Sequence, residues 1–191
     1  MKKGIEISRK EQKIIDLYLF YKENGFDHTI DEIVGMMKIG RKTFYNRYAS
    51  KEASILTTLR YCHAKFVDYF NEQLLQCNHS VEEVVLLMWE FRQFAKENYV
   101  FFQYDWDKGL FFTDETPFRS LLVSIIRKGL RSYHIREDID ATAYSNFFYA
   151  NMSMYVLSGH TQSAILRYVL MPLLNERGME LLEELNLESF A

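Results

Sequence analysis

Apolar residues recur along the chain at the three- and four-residue spacing that is typical of amphipathic helices. Ser8 and Glu11 form a capping box before the first of these helices. Its expected core face carries Ile14, Ile15, Tyr18 and Leu19. The Asn24-Gly25 step then ends the helix in a C-cap geometry. Because this pattern repeats towards the C-terminus, the sequence predicts an all-α protein.

Two short helices and the start of a third are predicted in the segment that begins at Thr29. Thr29 and Glu32 form a second capping box, so a helix should start there. Its apolar face carries Ile30, Ile33, Val34 and Met37. Gly40 is acceptable as the N-cap of the next helix, at about Arg41–Tyr48, and Ser50 can cap a third.

The second of these short helices is basic and rich in hydrogen-bonding side chains. From Lys38 to Lys51 the chain has five basic residues and no acidic one. The outer side of the helix carries Arg41, Lys42, Thr43, Asn46 and Arg47, while Ile39, Phe44 and Tyr48 can face inward. A basic helix held across an apolar one is the arrangement that a helix-turn-helix needs to enter a DNA major groove.

The same segment resembles the DNA-binding domain of the tetracycline-repressor (TetR) family. The resemblance covers roughly residues 10–56 and rests on Ile33-Val34, Ile39, the run Gly40-Arg41-Lys42-Thr43-Phe44-Tyr45 and the run Tyr48-Ala49-Ser50-Lys51-Glu52. It implies a helix-turn-helix DNA-binding domain at 1–50 and a larger helical ligand-binding and dimerisation domain at 51–191.

Two positions in the turn depart from the family pattern. Lys38 stands where the family usually has the turn glycine, and Gly40 stands where it usually has Ser or Thr. Lysine adopts a positive φ only at some cost, so the geometry of the turn is in question.

The predicted DNA-binding residues are Thr29, Arg41, Lys42, Thr43, Tyr45, Asn46, Arg47 and Lys51. Arg41 and Arg47 can each bind a guanine in a bidentate manner, and Asn46 can read adenine. The resemblance implies phosphate contacts for Tyr45 and Lys51. A phosphate can also be held at the helix N-terminus that Thr29 caps.

Longer helices are predicted after residue 51. One runs from about Lys51 to Leu75, another begins at a Ser80–Glu83 capping box, and a third follows Thr116-Pro117. Between the last two, the helical pattern dissolves at 103–116, where we expect a loop with at most one or two short helical turns.

Two helices near the C-terminus carry more apolar surface than one domain can cover. The helix at about 141–158 is apolar nearly all round, and the helix at about 162–175 has an apolar face of its own. We expect a two-fold homodimer in which both helices pair with their copies as a four-helix bundle, as the resemblance also implies. In the alternative, both helices are central in the monomer.

The resemblance also implies a site for a small-molecule effector among the later helices. Their high aromatic content favours an apolar or aromatic effector, although any single aromatic residue is more often part of the core. The expected ligand-binding residues are Phe66, Trp89, Arg92, Phe102, Phe147 and Asn151. Of these, Arg92 and Asn151 are the polar groups expected to orient the effector.

Charge is distributed unevenly between the two predicted domains. Residues 1–51 contain eleven basic and seven acidic residues, whereas the rest of the chain contains twelve basic and nineteen acidic residues. A basic head on an acidic body suits contact with DNA at one end only.

Catalytic and metal-binding motifs are not recognisable in the sequence. The five histidines are scattered without ligand spacing, and there is no phosphate-binding glycine loop. We therefore expect no enzymatic activity, no metal and no cofactor. The first residues lack the apolar run of a signal peptide, and no apolar run is long enough to span a membrane. A cytoplasmic protein is expected.

These patterns predict a ligand-responsive dimeric repressor. It would bind a pseudo-palindromic double-stranded DNA operator and be released by the effector. The alternative is a helical dimeric ligand- or protein-binding protein whose DNA binding is lost or altered, with Lys38 and Gly40 as the traces of that change.

Overall fold

The computed structural model describes residues 8–109, 117–157 and 167–185. Within these ranges the chain is helical apart from short connections and one isolated bridge between Ile135 and Leu174. The helices are α1 (Arg9–Asn24), α2 (Ile30–Met37), α3 (Arg41–Tyr48), α4 (Lys51–Leu74), α5 (Ser80–Glu97), α6 (Tyr99–Lys108), α7 (Pro117–Arg131), α8 (Ala141–Leu157) and α9 (Glu176–Glu184). Residues 167–170 are also helical. The prediction of an all-α fold is confirmed.

Contacts divide the chain into two compact units, Met1–His63 and Ala64–Ala191. The first unit contains α1, α2, α3 and the start of α4, and the second contains the remaining helices. A functional boundary near residue 50 stays a prediction, because compactness does not show which part of the chain binds DNA.

Aromatic residues of α1 form the core of the first unit. Leu17, Tyr18 and Tyr21 are buried, and the Tyr21 hydroxyl lies 2.8 Å from the Ser54 hydroxyl of α4. The predicted core face is wrong at Leu19, which is 46% exposed. Helical spacing places Leu17 and Tyr21, four residues apart, on the same side as Tyr18, and this side faces the unit's core.

An aromatic cluster forms the core of the second unit. Phe91 of α5 stacks on Phe118 of α7, with ring centroids 4.6 Å apart, and also contacts Tyr149 of α8. Since α5 packs against both α7 and α8, its apolar face is covered from two sides. Glu83 of α5 is almost fully buried and forms an ion pair with Lys128 of α7.

The last helix is attached to the turn that follows α7. Asn175 caps α9 through the Gly178 amide, and its own side-chain amide donates to the Tyr133 carbonyl at 3.0 Å. The Asn175 backbone N–H donates to the His134 carbonyl at 3.3 Å. A backbone hydrogen bond from Arg136 to the Leu173 carbonyl closes the same junction.

Residues 103–108 of the predicted loop at 103–116 are the second half of α6, which stays within the one or two helical turns expected there. Phe101, Phe102 and Asp105 of this helix are all buried. Tertiary packing therefore stabilises a helix that the mixed aromatic and polar sequence does not predict. The helix ends at Gly109, which has a left-handed φ of 64°. Residues 110–116 lie outside the described part of the chain.

The predicted start of α5 is one residue too late. His79 is the N-cap, because its Nδ1 atom accepts from the Glu82 amide at 3.1 Å. The Ser80 hydroxyl is instead buried at 2.9 Å from Nδ1 of His134.

Helix α8 has one buried face and one exposed face. Its exposed side carries Thr142, Ala143, Phe147 and Ala150, and Phe147 is 44% exposed. The two helices predicted to dimerise are described only in part, because residues 158–166 lie outside the described part of the chain. No helix among the described residues combines the length and apolar character that a membrane crossing requires.

Candidate nucleic-acid interface

A complete capping box starts α2. The Glu32 amide donates to the Thr29 hydroxyl oxygen at 3.3 Å, and the Glu32 carboxylate accepts from the Thr29 amide at 2.7 Å and from its hydroxyl at 2.9 Å. These hydrogen bonds lower the pKa of Glu32. The predicted capping box is confirmed. Because Thr29 already donates to Glu32, a phosphate bound at this helix end would compete with that carboxylate.

The turn between α2 and α3 is a Schellman motif with lysine in the glycine position. Lys38 has φ 52° and ψ 48°, in the left-handed region. Its N–H donates to the Gly35 carbonyl at 3.2 Å, and the Ile39 N–H donates to the Val34 carbonyl at 3.1 Å. This hydrogen-bond pair defines the motif. Lys38, in place of the turn glycine, therefore adds strain but leaves the hydrogen bonds of the turn unchanged.

Gly40 is the N-cap of α3 but provides no side-chain cap. Its φ of −80° and ψ of 154° are extended values that any residue can adopt. Its carbonyl accepts the first helical hydrogen bond, from Phe44 at 3.0 Å. The second departure from the family pattern thus removes a capping hydroxyl and leaves the backbone of the helix start unchanged.

Helix α3 buries one side and exposes the other. Phe44 and Tyr48 face inward, with ring centroids 5.2 Å apart. Exposed polar residues lie on the opposite side, namely Lys42, Thr43 and Asn46 together with Tyr45, which is 48% exposed. Within the described part of the chain, Lys42, Thr43 and Asn46 have no ion pair and no side-chain hydrogen bond. Their side chains are therefore available to a ligand.

Arg41 is already engaged by an acidic residue of α2. Its Nε donates to Oδ1 of Asp31 at 2.6 Å, and its Nη2 donates to Oδ2 of the same carboxylate. Both side chains are more than 60% exposed. The guanidinium lowers the pKa of Asp31, and the carboxylate raises the pKa of Arg41. Sequence reasoning missed Asp31, because a pair ten residues apart across a turn has no periodic signal.

The side chain of Arg47 packs against the rest of the first unit. It is partly buried, and its Nη1 atom is buried without a hydrogen-bond partner. Burial raises the pKa of the Tyr48 hydroxyl, while the nearby Arg47 guanidinium opposes that rise. Arg47 is thus less available to a partner than Lys42 or Asn46.

Lys51 lies at the start of α4, directly after a tight turn. Ala49 has φ 61°, and the Ser50 N–H donates to the Tyr48 carbonyl at 2.7 Å, two residues back. Ser50 then caps α4 by accepting from the Ala53 amide at 3.0 Å. After the Thr29 hydrogen bonds, the Lys51 charge is a smaller contribution to the lowered pKa of Glu32.

The residues predicted to bind an effector do not form one group. Phe66 and Phe102 are fully buried on either side of Phe91, with ring centroids 5.6 and 5.0 Å from it. Trp89 is partly buried. In contrast, Phe147 lies on the exposed face of α8, and the side chain of Asn151 donates to the Phe147 carbonyl at 2.7 Å.

Arg92 has the most distinctive environment among these residues. Its guanidinium carbon lies 4.7 Å from the centroid of the Tyr155 ring, and its Nε is buried without a hydrogen-bond partner. The Tyr155 hydroxyl is also buried, and the adjacent Arg92 guanidinium partly offsets the rise that burial causes in its pKa. A buried guanidinium nitrogen without a partner is costly, so Arg92 has hydrogen-bonding capacity left for a ligand or a water molecule. Asp105 would be solvated in the predicted loop at 103–116, but it is fully buried and accepts a hydrogen bond from the Tyr149 hydroxyl.

No protein-family model matches the sequence, and no curated protein is similar enough to match it. Solved structures do match. The fatty acid degradation regulator FadR from Bacillus halodurans has a TM-score of 0.65 and 15% identity, over 92% of this chain and 98% of that chain. The TetR family protein CprB from S. coelicolor A3(2) has a TM-score of 0.57 and 15% identity, over 95% and 97%. The TetR family transcriptional regulator PfmR from Thermus thermophilus has a TM-score of 0.53 and 14% identity, over 87% and 96%.

At these identities the matches establish the fold. The chain is an all-α protein with an N-terminal helix-turn-helix followed by a larger helical part. Its fold is that of TetR family regulators, which confirms at the level of the fold the resemblance found in residues 10–56.

Proposed function

We propose that the protein is a DNA-binding transcriptional regulator that inserts α3 into the major groove of its operator. The observation that carries this proposal is the exposed polar side of α3, held by a well-formed turn. Lys42, Thr43 and Asn46 are exposed there without described partners, while Phe44 and Tyr48 fix the opposite side of the helix. An exposed, hydrogen-bonding helix on a small helical scaffold fits the major groove.

The eight predicted DNA-binding residues fall into three groups. Thr43 and Asn46 lie one turn apart on α3 and suit contacts with base edges. Lys42, Tyr45 and Lys51 suit contacts with phosphate. The remaining three are constrained in the free protein, Arg41 by Asp31, Arg47 by its burial beside Tyr48, and Thr29 by Glu32.

The active form in this proposal is a homodimer that pairs through the helices at about 141–158 and 162–175. The exposed face of α8, with Phe147 at its centre, supports this surface because it carries no charge that pairing would have to desolvate. A two-fold dimer predicts a pseudo-palindromic operator with half-sites one helical turn or a little more apart. Light scattering that shows a monomer at micromolar concentration would contradict this arrangement.

The second unit in this proposal holds a site for an apolar or aromatic small molecule, and the protein acts as a repressor in the cytoplasm. The unused hydrogen-bonding capacity of Arg92 beside the Tyr155 ring supports such a site. A protein described as a gamma-butyrolactone receptor shares the fold, with a TM-score of 0.60 and 14% identity. Effector binding would favour a conformation that no longer fits the operator, which releases the DNA. Among the predicted effector residues, Arg92 has the environment that supports this site, whereas Phe147, on the exposed face of α8, belongs to the proposed dimer surface.

Selection from a random-sequence DNA pool, followed by mobility-shift titration, tests the DNA-binding proposal. We expect the wild-type protein to enrich a pseudo-palindromic sequence. The double variant Lys42→Ala/Asn46→Ala should bind that duplex at least roughly 100-fold more weakly, because one base contact and one phosphate contact are lost in each half-site. Its salt dependence should also be shallower by about two phosphate equivalents, one from each subunit.

A matched control separates a local effect from a general loss of charge. Lys96→Ala/Gln103→Ala removes one lysine and one amide from exposed positions of the second unit, and its affinity should stay within about twofold of wild type. If the control weakens binding as much as the α3 variant, α3 is not the binding surface. If the wild-type protein enriches no sequence, the alternative of a ligand- or protein-binding dimer is favoured instead.

A further inference from the structure

Asp31 is the acidic partner of Arg41, and its position raises a question about the DNA-binding surface. It lies in the first turn of α2, ten residues before the first residue of α3. Both carboxylate oxygens accept hydrogen bonds from the same guanidinium. A carboxylate on a surface that approaches DNA weakens binding through repulsion of the phosphates. Its presence therefore calls for a compensating role.

Capping of α2 does not provide that role. The Thr29–Glu32 capping box already closes the helix start, with hydrogen bonds in both directions. Asp31 makes none of these hydrogen bonds, and its described side-chain hydrogen bonds go to Arg41 alone. Helix α2 therefore does not need the Asp31 carboxylate for its N-terminal hydrogen bonds.

The geometry of the pair determines which part of Arg41 stays available. A guanidinium has five N–H donors in a planar fork. Asp31 binds the edge formed by Nε and Nη2, so two of the three remaining donors lie along the edge formed by Nη1 and Nη2. That second edge can still donate two parallel hydrogen bonds to O6 and N7 of a guanine. Because the side chain is held at its other edge, it loses little freedom when it binds a base.

We propose that Asp31 is a positioning residue that holds Arg41 so that its Nη1–Nη2 edge reads a guanine in the operator. The inference rests on the proposed DNA-binding function and extends it to an acidic residue outside α3. In this role Asp31 reduces affinity for DNA in general and increases the preference for one base. Arg41 is the base-reading residue, and Asp31 acts through it.

Base discrimination tests this inference more directly than affinity does. The probe is the duplex enriched from the random-sequence pool, together with a panel in which each guanine of a half-site is replaced by the other bases. Fluorescence anisotropy at constant salt gives the affinity ratio at each position. The wild-type protein should prefer guanine at one position of the half-site by roughly 5- to 100-fold.

Four variants distinguish the possible roles of the pair. Arg41→Ala should abolish the preference at that position. Asp31→Asn should reduce the preference several-fold while it binds unrelated DNA as tightly as wild type or more tightly, because one negative charge is removed. The double variant should match Arg41→Ala, because Asp31 has no effect on specificity without Arg41. Asp27→Asn removes the charge of an exposed acidic residue before α2 and should change affinity without changing the preference.

Several results would overturn the inference. Full discrimination by Asp31→Asn would show that Arg41 does not need positioning, and unchanged discrimination by Arg41→Ala would show that Arg41 does not read a base. If Asp27→Asn lost as much guanine preference as Asp31→Asn, the loss would be due to net charge and not to the positioning of Arg41. Circular dichroism of each variant checks that α2 and α3 still fold. If the wild-type protein enriches no DNA at all, the proposed function itself fails, which this panel distinguishes from a failure of positioning alone.

Discussion

His63 should make the protein sensitive to mild acid. This residue of α4 is completely buried, and burial lowers the pKa of its imidazole from 6.5 to about 3. The folded protein therefore keeps His63 neutral over a range in which the unfolded chain binds a proton. Stability from this residue is fully present above pH 6.5 and is lost as the pH falls from 6.5 towards 3.

The size of the effect follows from that difference in pKa. Each pH unit below 6.5 costs about 1.4 kcal/mol until the folded state begins to bind the proton as well. Between pH 7 and pH 5 the contribution of His63 to the loss of stability is therefore about 2 kcal/mol. For a domain whose free energy of unfolding is of the order of 5–15 kcal/mol, this is a large fraction.

Urea denaturation at pH 7, 6 and 5, followed by far-UV circular dichroism, measures the effect. The comparison is between the wild-type protein and His63→Gln, which keeps a polar side chain but cannot be protonated. The other histidines are present in both proteins, so their contributions cancel. From pH 7 to pH 5 the wild-type protein should lose about 2 kcal/mol more than the variant. Equal losses in the two proteins would refute the reasoning.

Two further predictions concern the backbone at special positions. Lys38→Gly should raise the free energy of unfolding by about 1 kcal/mol, because glycine adopts the left-handed turn without the cost that lysine bears; an unchanged urea midpoint would contradict this. Gly178→Ala should lower it by roughly 1–3 kcal/mol, because a methyl group there would overlap the His134 carbonyl oxygen. Gly35→Ala is its control, a helical glycine with no atom within 4 Å of an added Cβ, and should raise stability by about 1 kcal/mol; similar losses in both variants would exclude a steric cause.

Local signals in the sequence were sufficient to predict the helix-turn-helix. The Thr29–Glu32 capping box, the Gly40 N-cap and the Ser50 cap each depend on hydrogen bonds within a few residues, and all three are present in the structure. Such signals do not need the rest of the protein to be known. The sequence left the geometry of the turn at Lys38 in question, and the structure answers it with a left-handed Lys38.

Features that depend on tertiary packing could not be predicted in this way. Helix α6 has no clear apolar stripe, and it forms because Phe102 and its neighbours pack into the core of the second unit. The Asp31–Arg41 pair joins residues on two different helices, so no spacing within one helix could predict it. The predicted effector residues follow from residue type alone, and the structure places Phe66 in the core and Phe147 on the surface. Residue type indicates what a side chain can bind but does not determine which side of a helix faces the protein.

Helix α8 contains none of the five ionisable residue types Asp, Glu, Lys, Arg and His in its 17 residues. If two copies pair through this helix, the strength of that contact should change little with ionic strength, because no charge pairs are formed or broken there. The proposed contact of α3 with DNA has the opposite character, since it depends on the release of counterions. The salt concentration should therefore weaken the contact with DNA much more than the contact through α8. Raising it should free an intact dimer from its operator, so the protein could be eluted from a DNA column without being separated into its subunits.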